Sequence, residues 1–153
     1  MFRDSESSAL LDFAAGLAIA LIAWSASATP PDNPRGIWLT ADGRGVVEIA
    51  RCGDALCGRI VGIDRDPTAP LPTDPRGRPQ CGLTIITDEK PTADGTWLGK
   101  ITDPRDGRTY QARLSVDERG NLRLRVFIGL PALGATQTWH PFTGHLSAGC
   151  AVV

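Results

Sequence analysis

"TYQARLSVDERGNLRLRVFI", residues 109–128, decides the fold. In its first half Tyr110, Ala112, Leu114 and Val116 alternate with Thr109, Gln111, Arg113 and Ser115. In its second half Leu122, Leu124, Val126 and Ile128 alternate with Arg123, Arg125 and Phe127. A period of two is the period of a strand, whose successive side chains point to opposite faces. Between the halves lies "DERGN", rich in the residues that adopt turn geometry. Two strands, each with one apolar and one wetter face, joined by a tight turn, make an antiparallel pair.

The same grammar extends along the chain. Eight strand-like runs follow Arg35: Gly36–Thr40, Val46–Arg51, Leu56–Ile63, Cys81–Thr87, Thr96–Thr102, Thr109–Val116, Leu122–Ile128 and Thr136–His140. No 12-residue window after Arg35 carries a helical period. "ADGRG", "DPRDGR" and "DERGN" supply hairpin turns with Asp and Gly. The one long connection is Asp64 to Gln80, whose five prolines exclude a central strand. Consecutive short antiparallel strands with tight turns point to an all-β fold, an eight-stranded up-and-down barrel. Closure removes the exposed edges that such strands otherwise present. A barrel of this size either fills with side chains or encloses one small ligand. A β-sandwich is the structural alternative.

The N-terminus reads as a targeting segment. Phe13 to Trp24 is a 12-residue apolar run, too short for a bilayer span of about 20 residues. Ala26-Ser27-Ala28 fits a small-residue cleavage site. The expected organisation is a signal peptide over 1–28, an extended leader over 29–35, a barrel domain over 36–140 and a C-terminal tail over 141–153. The region before the apolar run holds Arg3 against Asp4, Glu6 and Asp12, whereas signal peptides begin net positive. Retention of the segment as an anchor is therefore the alternative. Cleavage leaves a nearly neutral chain with no membrane span, in the periplasm or outside the cell. That charge balance gives no reason to expect a nucleic-acid partner, and no basic cluster is interleaved with aromatics.

An exported chain with four cysteines favours disulfides over metal thiolates. Four cysteines allow three pairings. Cys52–Cys57 closes a loop of about 6 residues, worth about 2 kcal/mol in the chain-entropy picture. Cys52–Cys81 or Cys57–Cys81 closes about 25–30 residues, worth roughly 3.5 kcal/mol. Entropy prefers the longer link. Geometry favours Cys52–Cys57, which flank a four-residue turn and face each other across a hairpin. Cys81–Cys150 is then the expected second bond, and a link from Cys52 or Cys57 to Cys81 is the alternative. The spacing of Cys52 and Cys57 does not match a C-x-x-C redox pair.

Five stretches occur in order: "GIWLTADGRGVVEIARCGDALCGRIV" (36–61), "RGRPQCGL" (76–83), "WLGKIT" leading into "DPRDGRTY" (97–110), and "IGLPALGATQTW" (128–139). Together they resemble the bacterial domain-of-unknown-function family 2147. The resemblance implies an exported, lipocalin-like (calycin) barrel and carries no assigned activity. The family commonly has an aromatic residue where this chain has Thr102, and Gly where it has Val126. Gly36-Ile37-Trp38 also looks like the lipocalin G-x-W signature. That resemblance implies a Trp38 closing one barrel end with a late-strand arginine packed on it, Arg125 first and Arg123 second. A cation over an indole face is worth roughly 0.5–2 kcal/mol.

Chemistry-bearing patterns are sparse. His140, His145 and Cys150 match no zinc spacing, so no metal and no cofactor are expected. In "DPRDGR" the reading is a turn in which Asp103 and Asp106 accept backbone N–H groups and Gly107 takes positive φ. No G-x-S-x-G elbow occurs, which argues against an enzyme of that class. Glu48 lies mid-strand; facing inward it is a ligand contact, facing outward it is solvated. Glu48, Tyr110 and Trp97 are the candidate ligand contacts, and Trp38, Arg125, Gly107 and Trp139 the structural candidates. The expected function is a non-enzymatic envelope barrel that binds a small apolar ligand. A packed barrel that docks on an envelope protein is the alternative, and an envelope enzyme a third reading. An interior cavity favours the first, a solid core with an exposed apolar patch the second.

Overall fold

The structure is a computed structural model and describes residues 33–153. The expected signal peptide over 1–28 and most of the expected leader lie outside the described residues. Eight strands follow in order: β1 (Gly36–Leu39), β2 (Gly45–Cys52), β3 (Ala55–Ile63), β4 (Thr84–Pro91), β5 (Trp97–Thr102), β6 (Thr109–Val116), β7 (Leu122–Phe127) and β8 (Ala135–Pro141). Each pairs antiparallel with the next, and β8 closes onto β1 through Trp38 opposite Pro141 and Leu39 opposite His140. The result is a closed up-and-down barrel.

Alternation works as the sequence dictates. Ala112 and Leu114 of β6 and Leu122 and Leu124 of β7 are fully buried. They join Val47, Ile49, Leu56, Ile60, Ile85, Ile86, Trp38, Trp97 and Trp139 in one core inside the barrel. Aspartates fold the turns: Asp42, Asp94, Asp103 and Asp117 each accept a hydrogen bond from the backbone N–H two residues on. This side-chain bond mimics a backbone turn and frees the strands to reverse.

The barrel has two unlike ends. The hairpin end carries the β2–β3, β4–β5 and β6–β7 turns and the point where the chain enters β1. There Pro34 is fully buried, and its carbonyl accepts the Trp38 Nε1–H at 2.8 Å. The loop end carries the β1–β2 and β5–β6 turns, the long β3–β4 loop and the β7–β8 connection.

Cys52 and Cys57 are disulfide-bonded across the β2–β3 hairpin, with Cα atoms 5.8 Å apart. Cys81 and Cys150 form the second disulfide, Cα to Cα 6.1 Å. The second bond fastens the tail. Ala151 bridges to Ile63, the Ile63 N–H donates to Cys150 O, and Leu146 lies against Val46 and Gly62. Val46 alternates away from Val47 and Ile49, so this cover accounts for its complete burial. The tail is a strap on the barrel wall.

The fourth strand departs from the sequence reading. It runs Thr84–Pro91 rather than Cys81–Thr87. Cys81 to Leu83 are instead turned, with the Gly82 N–H donating to Ile60 O and the Ile60 N–H to Leu83 O. The strand then continues through "DEKP" because it bulges. Pairing with β5 jumps from Thr87 opposite Lys100 to Lys90 opposite Leu98, and Asp88 sits at φ 57°. Gly99 lies under that bulge; a Cβ there would run into Asp88 C and Glu89 N.

Candidate functional site

The bulge sets one charged residue type where the sequence hides it. Glu89, opposite Leu56 of β3, is fully buried, and neither carboxyl oxygen has a hydrogen-bond partner. On the neighbouring strand, the buried Nε1–H of Trp97 is also unpartnered. Lys90 opposite Leu98 and Pro91 opposite Trp97 place Glu89 and Trp97 diagonally across the β4–β5 ladder. Burial alone pushes the Glu89 carboxyl up to about 8. Taking a carboxylate out of water without a partner disfavours its charged form. Glu89 is thus a neutral acid at pH 7, able to donate as well as accept.

A cleft opens at the other end. It measures about 210 Å³ and lies between the long loop and the β5–β6 turn. Pro75, Leu83 and Pro104 give it apolar walls; Thr84, Thr102 and Thr109 give it hydroxyls; Arg76 and Arg78 add guanidinium groups. Leu83, half-buried, packs against the barrel core and presents an apolar side chain to the cleft. Thr102 and Thr109 share a hydroxyl hydrogen bond of 2.9 Å.

The loop side of the cleft is built on Asp74. Its Oδ1 accepts the backbone N–H groups of Arg76 and Arg78, and its Oδ2 accepts Arg78 Nε at 2.8 Å. Burial works to raise this carboxyl's pKa, but the Arg78 and Arg76 bonds outweigh it and hold the pKa below the usual range. Gln80 Nε2 donates to Thr73 O and Pro104 O, tying the loop to the turn. On the turn, Arg105 bonds both oxygens of Asp103, which lowers the Asp103 pKa. Gly107 takes φ +74° and faces Pro75 of the loop. A side chain there would be strained by φ, although its Cβ would meet Pro75 only at ordinary contact distance. Two stretches far apart in sequence, 76–83 and 97–110, thereby meet around one cleft.

The sequence-derived candidates scatter. Tyr110 sits half-buried, opposite Ile101, on the inward-facing row of β6 near the loop end. Trp97 is buried at the hairpin end. Glu48 faces outward, not into the barrel: it shares the outer row with exposed Ala50 and pairs with Arg59 at 2.9 Å. Beside it runs a groove of about 390 Å³ on the outer wall, lined by Asn33, Arg35, Ile37 and Glu48. Arg125 does not pack on Trp38. It points outward, donating to Pro131 O, Ala132 O and Thr136 Oγ1, and Arg123 likewise points outward to Thr138. Both belong to the solvent row of β7, so neither reaches an inward Trp38. Trp139 is a core residue whose Nε1–H donates to Gln137. Among the described residues no group of three or more His, Cys, Asp or Glu side chains is placed to hold a metal.

Sequence reading missed Glu89, Asp74, Arg76 and Arg78. For Glu89 a signal existed: "DEKP" precedes a clear turn, "TADGT", so the strand had room to run on.

Comparison with known proteins places the fold. The sequence profile of the family described as "Uncharacterized protein conserved in bacteria (DUF2147)" matches residues 36–141. The chain belongs to that family. No curated protein matches it. Among solved structures it is similar to protein HP1028 from the human pathogen Helicobacter pylori, described as belonging to the lipocalin family. The two superpose with a TM-score of 0.60 at 19% identity, over 75% of this chain and 84% of the other. That likeness shows a shared lipocalin fold.

Proposed function

We propose that this DUF2147 chain is a non-enzymatic, envelope-located barrel that binds a small, largely apolar molecule with a polar end, in the loop-end cleft. The observation that carries this reading is the convergence of residues 76–83 and 97–110 on a cleft lined by Leu83, a half-buried side chain packed against the core. The lining suits an amphipathic ligand: apolar walls for its body, hydroxyls and guanidinium groups for its head. At about 210 Å³ the cleft falls below the drug-sized range of roughly 300–1,000 Å³. The ligand is therefore small. Thr102 stands where the resembled family commonly has an aromatic, and its short side chain leaves the cleft room. The apolar run at 13–24 and the two disulfides support an oxidising, extracytoplasmic location.

Native mass spectrometry tests this on protein purified from the envelope of its own bacterium. The expected result is a bound small mass that is lost in Thr102→Trp, whose indole fills the cleft. An apo mass in the wild type, or equal retention in the filled variant, overturns it. The second reading, docking on an envelope protein, draws on the filled barrel interior and on the exposed apolar β7–β8 connection.

A further inference from the structure

The β7–β8 connection carries the most exposed apolar side chains of the barrel. Ile128 is 74% exposed, Leu130 65% and Leu133 80%. Between Arg125 and His140 the sequence holds no charge. The loop is not slack. Arg125 donates from Nε to Pro131 O and from Nη2 to Ala132 O, and a 3₁₀ turn at Pro131–Leu133 is closed by Leu130 O and Pro131 O. A guanidinium braces the backbone from below and leaves three aliphatic side chains pointing into water.

We propose that this braced loop docks into the surface of a zwitterionic lipid bilayer, loop end towards the membrane. Three observations favour lipid over protein. The three side chains offer roughly 400 Å², half of the about 800 Å² per partner that a stable protein contact needs, so a second copy is too little held. Protein hot spots are rich in Trp, Tyr and Arg and poor in Leu; this loop has neither an aromatic nor an arginine, and the neighbouring Arg125 of β7 is turned to the loop's carbonyls. The charges at the same end balance: Asp74–Arg78, Asp103–Arg105 and Asp106–Arg108 are ion pairs, and Arg44, Arg65 and Arg76 stand in loops that also hold Asp42, Asp64 and Asp66. That end therefore lacks the basic cluster that anionic lipid recognition uses. The proposal stands independently of the cleft ligand.

Hydrogen exchange of the exported protein, with and without phosphatidylcholine vesicles, tests it. Amides of residues 128–134 are expected to slow about fivefold or more on vesicles, with the β2–β3 hairpin unchanged and little sensitivity to salt. Leu130→Ser/Leu133→Ser, two exposed changes that leave the core intact, is expected to abolish the slowing. Unchanged exchange on vesicles overturns the proposal. So does slowing that persists in the double variant. Slowing without lipid as protein concentration rises assigns the loop to self-association instead, and slowing by an added envelope protein but not by vesicles assigns it to a protein partner.

Discussion

Glu89→Gln isolates the energetic consequence of the β4 bulge. The wild-type carboxyl titrates at about 8 in the folded chain against an ordinary value of 4.5, because burial disfavours its charge. The folded state therefore binds this proton more tightly than the unfolded state. The associated stability is fully present below pH 4.5 and is lost progressively as pH rises to about 8. At about 1.4 kcal/mol per pH unit, the loss across that window is on the order of 5 kcal/mol. An amide of the same size is neutral throughout. Glu89→Gln should match the wild type within about 1 kcal/mol near pH 4.5 and exceed it by a few kcal/mol at pH 8.5. Urea unfolding followed by tryptophan fluorescence, at intervals from pH 4.5 to 9, measures both. The readout is the difference between the proteins, because carboxylates held low, such as Asp103 and Asp117, lose stability at acid pH in both. A difference that does not change with pH refutes the burial argument.

Three other perturbations have expected outcomes. Cys81→Ala/Cys150→Ala opens a link between residues 69 apart; chain entropy sets the loss at about 4 kcal/mol, and denaturant unfolding with Cys52–Cys57 intact reads it. The same variant should speed amide exchange at Ile63 and Ala151, whose bridge the link secures. Gly99→Ala places a methyl group against the backbone of the β4 bulge, which should destabilise the fold by about 2–3 kcal/mol in thermal or urea unfolding. Arg125→Ala removes the brace from Pro131 O and Ala132 O; global stability should fall by about 1 kcal/mol or less, while exchange at Leu133 and Gly134 rises.

Much of the fold is legible in the sequence, for a local reason. β6 and the first half of β7 obey strict alternation, and their turn holds Asp117 and Gly120, so pairing, facing and register follow from nearest neighbours; β7 ends at Phe127, which is buried, and Ile128, expected on the inward row, is exposed beyond it. β4 is not legible because a bulge breaks the alternation. Past Asp88 the inward and outward rows exchange, and an acidic "DEK" that reads as surface sends Glu89 into the core. Arg125 shows the limit of motif reasoning. The G-x-W signature is present and Trp38 is buried, yet alternation already puts Arg125 on the outer row, and local carbonyls claim its guanidinium. The cleft depends on contacts such as Gln80 to Pro104, 24 residues apart; neither segment alone has a pattern that names its partner. For the tail the sequence names the Cys81–Cys150 link but not the seat: Leu146 beside Gly62 and the Ala151 bridge to Ile63 set it against the wall.

Ligand should bind at the loop-end rim rather than along the barrel axis. Backbone amide NMR shift mapping, with the small-molecule extract of the bacterial envelope as probe, tests it most directly. Binding in the cleft should concentrate the shifts at Arg76, Arg78, Thr84, Thr102 and Thr109, and Thr102→Trp should abolish them. Shifts running instead along the inner wall, through Val47, Ile49, Leu114 and Leu124, or no shifts at all, contradict it.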